Sequence, residues 1–264
     1  RFSKQKPSDI QAQEIKVTPK KMSFVVQIPN QRERFEVPLV GHHNLDNILA
    51  AITVGVSNGI RLSEMTLALK EFPGIPGRLE PVDMGQKFGI AVDFSYKPSG
   101  LEAVLTALRK VASGKIIVVW GGAGGRPPEN WEASAKMLKK HADEVILTTD
   151  DPYNDDPKKI NQIVRNALQK EEGQGFFEIE DRYEAIRYAV YTAPQDAMVL
   201  VAGRGHEKKQ TIGKKVIPFD DREVCREILS FAYEQKLIEK RPDAPSSEPN
   251  VSQEETKRKQ GTLH

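Results

Sequence analysis

Short apolar runs alternate with amphipathic helical patterns between residues 115 and 235. Four runs are typical of strands covered on both faces of a sheet, namely 115–120, 144–149, 176–179 and 197–202. Helical periodicity follows each run, in segments 132–141, 157–170, 183–192 and 222–235. This alternation predicts right-handed parallel crossovers and therefore an α/β fold with an open, Rossmann-like, mostly parallel sheet.

The first 76 residues carry a different pattern. Residues 21–27 and 34–39 resemble the strands of a hairpin, and 44–58 and 62–72 resemble two helices. Residues 73–77, Pro-Gly-Ile-Pro-Gly, predict a hinge between a domain at 1–76 and a second domain at 77–238. Because a hairpin and two helices bury little apolar surface, we expect segment 1–76 to be the end of a larger domain.

Composition narrows the class of protein. The 39 basic and 37 acidic residues give a net charge of +2, which does not favour a nucleic-acid partner. No apolar run approaches the ~20 residues that span a membrane. The single cysteine, Cys225, excludes an intrachain disulfide framework, and we expect it to be buried in a cytoplasmic, monomeric protein. Residues 239–264 are polar and charged and predict a disordered tail.

A glycine-rich motif and an acidic motif begin where two predicted strands end, the edge at which parallel sheets bind ligands. The run from Gly121 to Arg126 can bring backbone amides close to an anion, and Arg126 suits a carboxylate or a phosphate. Glycines also serve tight turns for steric reasons alone. Asp150 and Asp151, followed by Pro152 and Tyr153, can bind a metal, accept from an amine or simply begin a turn.

A third motif, Gly203-Arg204-Gly205-His206-Glu207, follows the run at 197–202. Its glycines allow the backbone to approach a ligand, and its last two side chains add polar groups, so the pattern favours a functional loop over a plain turn. The sequence contains neither G-x-x-x-x-G-K-[ST] nor G-x-S-x-G. Adjacent His42 and His43 point apart in regular structure and lack further ligands, so no metal site is predicted.

Taken in order, these motifs resemble those of the Mur ligases, from about residue 35 to residue 228. The elements that carry the resemblance are Gly41-x-x-Asn44-x-x-Asn47-x-x-Ala50-Ala51, Pro76-Gly77-Arg78-x-Glu80, Val92-Asp93-Phe94, Asp150-Asp151-Pro152, Asp181-Arg182, Gly203-Arg204-Gly205-His206-Glu207 and Phe219-Asp220-Asp221-Arg222-Glu223. Their order and spacing are more specific than any one of them.

The resemblance implies the end of a central ATPase domain followed by a C-terminal amino-acid-binding domain, without the phosphate-binding loop and the UDP-sugar domain. It implies an ATP- and Mg²⁺-dependent ligase of peptidoglycan synthesis. Such an enzyme adds a diamino acid, lysine or meso-diaminopimelate, to UDP-N-acetylmuramoyl-dipeptide through an acyl phosphate. We expect the isolated chain to be inactive. Domain closure would bring the two halves of such a site together.

The resemblance also implies roles for individual residues. On the nucleotide side these are Asn47 at adenine, Arg78 at the phosphates and Asp93 beside the nucleotide, the last two being catalytic, with Tyr96 near them. On the amino-acid side Arg126 would grip a carboxylate and Glu207 would face an amine, with Asp151, Tyr153 and Gly203 completing the pocket.

The sequence departs from the family at two of these positions. Tyr96 stands where the family usually has histidine, and Tyr153 stands where diaminopimelate-adding members carry arginine. Losing that bidentate clamp favours lysine over diaminopimelate. Two alternatives stay open: a non-catalytic module that binds an amino acid or a partner, and a ligase that adds glutamate to a folate.

Overall fold

The computed structural model describes residues 2–3, 9–18, 21–39 and 42–241. Its N-terminal part is a four-stranded sheet in the order β1-β2-β3-β4, packed against two helices. These elements are β1 (Phe2–Ser3), β2 (Ile10–Val17), β3 (Met22–Ile28), β4 (Gln31–Val37), α1 (His42–Ser57) and α2 (Leu62–Lys70). The predicted hairpin is β3 and β4, and both predicted helices are confirmed, whereas β1 and β2 were not predicted.

The apolar face of this sheet closes on α1. Phe24 and Phe35 pair across β3 and β4 with stacked rings 5.6 Å apart, and Leu45 and Leu49 of α1 are buried in the same cluster. Because β2 adds Ile10 and Ala12, the core is larger than the hairpin and helices alone would give.

A six-stranded sheet forms the second part, in the order β5-β6-β10-β7-β8-β9. All its pairs are parallel except β5 with β6, which confirms the predicted mostly parallel α/β fold. The remaining elements are β5 (Glu80–Pro81), β6 (Gly89–Asp93), α3 (Pro98–Arg109), β7 (Ile116–Trp120), α4 (Pro128–His141), β8 (Glu144–Leu147), α5 (Pro157–Leu168), β9 (Phe176–Glu178), α6 (Arg182–Thr192), β10 (Met198–Ala202), β11 (Lys209–Ile212), β12 (Lys215–Pro218) and α7 (Asp221–Glu234).

Helices cover both faces of this sheet. Helices α3, α4 and α5 pack on one face, and α6 and α7 pack on the other, which contains the buried Cys225 as predicted. The helix α3 was not predicted, α4 begins four residues earlier than the pattern indicated, at Pro128, and the small β11–β12 hairpin is additional. Proline is well tolerated in a first helical turn because its missing N–H has no partner there.

The order of the strands decides where the site lies. Strand β10 comes late in the chain yet pairs with β6 on one side and β7 on the other, with Ala202 beside Asp93. The carboxyl ends of β6, β10, β7 and β8 are therefore neighbours, and the loops that follow them meet at one edge.

The first residues of the predicted tail, 239–241, lie in the described part of the chain and make defined contacts. Glu239 accepts from Lys87 at 2.5 Å, and Arg241 pairs with Asp83 at 3.0 Å and donates its backbone N–H to the carbonyl of Gly85. Residues 239–241 are thus held against the loop before β6, whereas 242–264 lie outside the described residues. Across the described ranges, no helix is both long and apolar enough to cross a membrane.

Candidate functional site

A cavity of about 640 Å³ lies between α1 and the carboxyl end of β6. Asn47 of α1, Arg78 after the hinge, Asp93 at the end of β6 and Tyr96 beyond it all line this cavity. These are the four residues that the resemblance assigns to the nucleotide, so residues far apart in sequence face one space. The assigned contacts with a nucleotide remain predictions.

Asp93 is buried and fixes the loop that follows the hinge. Its carboxylate accepts from the backbone N–H of Leu79 at 2.7 Å and from the hydroxyl of Ser95. The sequence predicted this carboxylate beside a nucleotide. In the structure it ties residue 79 to β6 at the wall of the cavity.

A row of rings connects the two arginines of the site. The Arg78 guanidinium lies 4.9 Å from the centre of the Phe94 ring, and the Phe94 ring meets Tyr96 edge to face at 5.2 Å. The Arg126 guanidinium lies 5.1 Å from the Tyr96 ring on the far side, and Lys97 also contacts that ring. Such cation–aromatic contacts favour a defined position for each exposed arginine. Tyr96 and Arg126 also line a second cavity of about 280 Å³.

The glycine loop before Arg126 is packed against the loop after β8. Gly124 donates its N–H to the carbonyl of Asp151 at 2.8 Å, and a Cβ on Gly124 would fall 1.9 Å from the carbonyl oxygen of Pro152. Gly125 donates to Asp155 at 2.7 Å. Gly124 therefore serves close backbone contact, as the steric interpretation expected, and the loop carries Arg126 to the edge of the site.

Asp150 is buried directly under the Gly203 loop. Its Oδ1 accepts from the N–H of Asp151, while its Oδ2 is 4.0 Å from a guanidinium nitrogen of Arg182 and makes no hydrogen bond. Burial raises the pKa of Asp150 to about 6, against the opposing charges of Arg182 and Arg204. Gly203 has a φ of 118°, and a Cβ there would fall 2.2 Å from Asp150 Oδ2, so only glycine fits.

Asp151 is already engaged inside the protein. Its Oδ2 lies 2.5 Å from Nη1 of Arg204, and its Oδ1 accepts from the N–H of Thr211 at 2.5 Å. Arg204 is wholly buried and also donates to the carbonyls of Lys209 and Phe219. The predicted pocket carboxylate is therefore half of a buried ion pair.

Glu207 and Tyr153 form the exposed side of this acidic cluster. Loss of water raises the pKa of Glu207 to about 7, and the negative charge of Asp151 raises it further. Tyr153 has a left-handed φ of 52° and is 44% exposed. Partial burial and then the charges of Asp151 and Glu207 raise the pKa of Tyr153, while the positive charge of Arg126 lowers it. The amino-acid-side residues that were predicted thus lie within electrostatic reach of one another.

Sequence reasoning gave no role to the two buried arginines. Arg182 donates from Nε and Nη2 to both oxygens of Asp221 at 2.8 Å, and it also reaches the carbonyl of Ala202. Both partners were present in the quoted motifs, Asp181-Arg182 and Asp220-Asp221. Their pairing was invisible because 39 residues separate them.

The edge of the sheet combines three kinds of group. Arg78 and Arg126 offer positive charge for anions, Glu207 offers a carboxylate for an ammonium group, and the 640 Å³ cavity beside Arg78 has polar side chains in its wall. Over the ranges that the structure describes, no three His, Cys, Asp or Glu side chains converge on a candidate metal site.

Two family models match the chain. One, described as the Mur ligase middle domain, matches residues 1–55, and one, described as Mur ligase, glutamate ligase domain, matches residues 77–205. The first match ends before segment 73–77, which the sequence predicts as a hinge, and the second begins at its last residue.

Two curated relatives illustrate the similarity in sequence. The UDP-N-acetylmuramoyl-L-alanyl-D-glutamate--2,6-diaminopimelate ligase of Geobacillus kaustophilus is 39% identical over 225 residues, which cover 85% of this chain and 46% of the relative. The ligase of the same name from Caldanaerobacter subterraneus is 38% identical over 221 residues, or 84% of this chain and 45% of the relative. The chain thus spans about half the length of the curated relatives it matches.

Solved structures agree in fold. A structure of a UDP-N-acetylmuramoyl-L-alanyl-D-glutamate--2,6-diaminopimelate ligase superposes with a TM-score of 0.66 at 26% identity, covering 88% of this chain and 47% of the other. A folylpolyglutamate synthase from Thermotoga maritima, at 18% identity, shares the fold with a TM-score of 0.60 over 74% of this chain and 44% of the other. The ordered motifs, the two family matches and the named relatives together establish that this chain belongs to the Mur ligase family.

Proposed function

We propose that the chain is the amino-acid-binding part, with a share of the ATP-binding part, of a ligase that adds a diamino acid to UDP-N-acetylmuramoyl-dipeptide. The enzyme would be a UDP-N-acetylmuramoyl-tripeptide synthetase that uses ATP. It would require the parts of its relatives that this chain does not span.

One observation carries this proposal. The Arg78–Phe94–Tyr96–Arg126 row connects the cavity lined by Asn47, Arg78, Asp93 and Tyr96 to Arg126, and the charge of Arg126 acts on Tyr153 in the acidic cluster around Glu207. A ligase must bring a phosphorylated carboxylate and an amine within reaching distance, and this arrangement supports that task.

The chemistry has two steps. The terminal carboxylate of the dipeptide attacks the γ-phosphorus of ATP, the bond to the bridging oxygen breaks, and ADP leaves. The amine of the incoming amino acid then attacks the acyl carbon, the bond from that carbon to the phosphate oxygen breaks, and phosphate leaves as the nitrogen loses a proton. Negative charge builds on phosphate oxygens in both steps, so nearby fixed cations lower the barriers.

The residues of this chain would bind and position the reactants. We assign Arg78 to the phosphates, Asn47 to the adenine edge and Tyr96 to the wall between the two cavities. Arg126 would hold the carboxylate of the amino acid as a charge-assisted clamp, and Glu207 would receive its side-chain ammonium group. The proposed role of Asp93 is to hold the loop that carries Arg78, through the N–H of Leu79.

Mg²⁺ does not fit the described residues as a resident ion. Its preferred ligands are several oxygens in an octahedron. The carboxylates here are taken up by arginines, backbone N–H groups or each other, as in the pairs of Asp151 with Arg204 and Asp221 with Arg182. We therefore derive no step through the metal from this chain.

Two lines of support point to different diamino acids. The names of the relatives favour 2,6-diaminopimelate. The acidic surroundings of Tyr153 disfavour a second carboxylate and so favour lysine. A Tyr153→Arg variant is expected to shift preference toward meso-diaminopimelate, and Tyr153→Phe is its control.

Calorimetric titration of the chain with lysine, meso-diaminopimelate and ATP tests the proposal. We expect a diamino acid to bind, and we expect Arg126→Ala and Glu207→Ala each to weaken that binding at least about tenfold. The matched control is Arg187→Ala, because Arg187 lies on the outer surface of α6 and pairs only with the nearby Glu184.

Two results would contradict the ligase assignment. The first is binding of a diamino acid that neither Arg126→Ala nor Glu207→Ala affects. The second is a protein with the upstream ATP-binding region restored that binds the amino acid but forms no ADP with UDP-N-acetylmuramoyl-dipeptide. The second outcome would support the non-catalytic binding module instead.

A further inference from the structure

Arg204 lies beneath the proposed amino-acid pocket with its side chain fully excluded from water. The guanidinium of Arg204 donates to Asp151 Oδ2 and to the carbonyls of Lys209 and Phe219, and it lies 5.8 Å from the centre of the Phe219 ring. A buried arginine with a carboxylate and two carbonyl partners has a fixed position. It therefore fixes the carboxylate that it touches.

Two buried ion pairs lie beneath the proposed pocket. Arg182 is committed to Asp221 through two hydrogen bonds of 2.8 Å, and both side chains are fully buried. Arg204 is committed to Asp151 at 2.5 Å. Among the described residues of the acidic cluster, Asp150 and Glu207 are the carboxylates that accept no hydrogen bond from an arginine. Asp150 is buried, so Glu207 is the one of the two that a substrate can reach.

We propose that Arg204 is a positioning residue of the amino-acid pocket: it takes up the charge of Asp151 and so leaves Glu207 as the group that receives the substrate's ammonium. This inference rests on the proposed function. It changes the role expected of Asp151, which becomes a support for the pocket and not a ligand of the amine.

The backbone on either side of Arg204 explains how its guanidinium group reaches Asp151. Gly203 and Gly205 flank it, with φ of 118° and 56°, and their missing side chains let the loop press on Asp150 and on Phe94. The loop turns so that Arg204 points inward, whereas Glu207, three residues later, is only half-buried. A substituted loop without Arg204 would leave a buried, unpaired Asp151, which is strongly unfavourable.

The test measures the titration of Glu207 in the full chain without any ligand. Carbon-13 NMR of a selectively labelled Glu207 carboxyl gives its midpoint. The charged groups that act on Glu207 are Asp150 and Asp151 after β8 and Arg204 on its own loop, and Tyr153 titrates at higher pH beside it. Removing one charge at a time therefore separates their effects.

Three variants are compared with the unsubstituted chain. Asp151→Asn keeps an oxygen for the N–H of Thr211 and is expected to lower the Glu207 midpoint by about one pH unit or more, because the neighbouring negative charge is gone. Asp151→Asn with Arg204→Met is expected to raise the midpoint again, since the positive charge is gone as well. Asp151→Asn with Arg204→Lys keeps the charge and is expected to retain the lower midpoint.

Two outcomes would overturn the inference, and a third bears on the proposed function alone. Equal midpoints in Asp151→Asn with and without Arg204→Met would overturn the inference. So would a larger loss of lysine binding in Asp151→Asn than in Glu207→Gln. Failure of the unsubstituted chain to bind any diamino acid would count against the proposed function alone, because the NMR titration decides the role of Arg204 without ligand. Circular dichroism confirms that each variant folds, and Asp151→Asn with Arg204→Met removes both charges of the buried pair together.

Discussion

A Cβ on Gly77 would fall 2.1 Å from the backbone nitrogen of His206, so the hinge and the Gly203–Glu207 loop touch through bare backbone. Gly77 also accepts a hydrogen bond from the N–H of Phe94 at 2.8 Å. Three segments that are distant in sequence thus meet without side chains between them. We therefore expect a change at Gly77 to affect the loop that carries Glu207.

This contact predicts that Gly77→Ala is strongly destabilising. Residue 77 has a φ of 66° and no room for a methyl group, so we expect a loss of about 3 kcal/mol in the free energy of unfolding. The control in the same hinge is Gly74→Ala, with a φ of 88° but open space, for which about 1 kcal/mol is expected. Urea unfolding followed by tryptophan fluorescence measures both, and equal losses would contradict the backbone contact.

Glu207 predicts a pH dependence of amino-acid binding. Its pKa is raised to about 7, and the carboxylate form is the one that pairs with an ammonium group, so affinity for a diamino acid is expected to rise as pH increases through 7. Calorimetry between pH 5.5 and pH 8.5 measures this rise. In Glu207→Gln the affinity should be low and independent of pH, and an unchanged profile there would contradict the assignment.

The same shift has a consequence for stability. The folded chain holds the Glu207 proton more tightly than the unfolded chain does, so this group's stabilising contribution is full below pH 4.5 and is lost as pH rises through about 7. Glu207→Gln is expected to flatten that part of the stability profile. Urea midpoints at several pH values check the prediction, and a profile as steep as that of the unsubstituted chain would argue against it.

We expect the buried ion pair of Arg182 to have a large effect on the free energy of unfolding. Arg182→Met leaves Asp221 buried without its partner, and we expect a loss of about 3 to 5 kcal/mol in the free energy of unfolding. Arg187→Met, on the same helix, breaks only the exposed pair with Glu184 and is expected to cost about 0.5 kcal/mol or less. Similar denaturation midpoints for the two variants would show that the buried pair is not the stabilising contact.

We expect the thiol of Cys225 to be protected from reagents in the folded chain. The side chain is fully buried on α7, and burial raises the pKa of the thiol well above its ordinary value. Ellman's reagent is therefore expected to react with the folded chain only as fast as the chain unfolds, and at once in denaturant. Rapid, complete reaction of the native protein would contradict this packing.

Much of the sheet could be predicted from the sequence because its central strands are covered on both faces. All five residues of β7 are buried, and their apolar run stands out. The helix α3 was missed although Leu101, Val104, Leu105 and Leu108 follow a helical spacing. Pro98 and Gly100 at the start of α3 are typical of a turn, which weakens the helical pattern of its first residues.

The site could be predicted only in part. The loops of the site were predicted because glycines and charged residues follow apolar runs. The buried arginine was not predicted, because an arginine in a sequence suggests an exposed side chain. The burial of Arg204 depends on Asp151, 53 residues earlier, which reaches it only once the strands are in order. Side-chain pairing between distant strands leaves no local pattern, so the ion pair between Asp151 and Arg204 could not be predicted from the sequence.

The central position of β10 has a consequence for how the chain folds during its synthesis. Strand β10 begins at Met198, more than a hundred residues after the end of β6 at Asp93 and more than seventy after the end of β7 at Trp120. Its two partners have no neighbour on that side until β10 has been made. Pairing across such a separation is slow compared with local folding. During synthesis the edges of β6 and β7 would stay open to wrong partners, and a nascent chain that stops before residue 198 would have none of the Gly203–Glu207 loop.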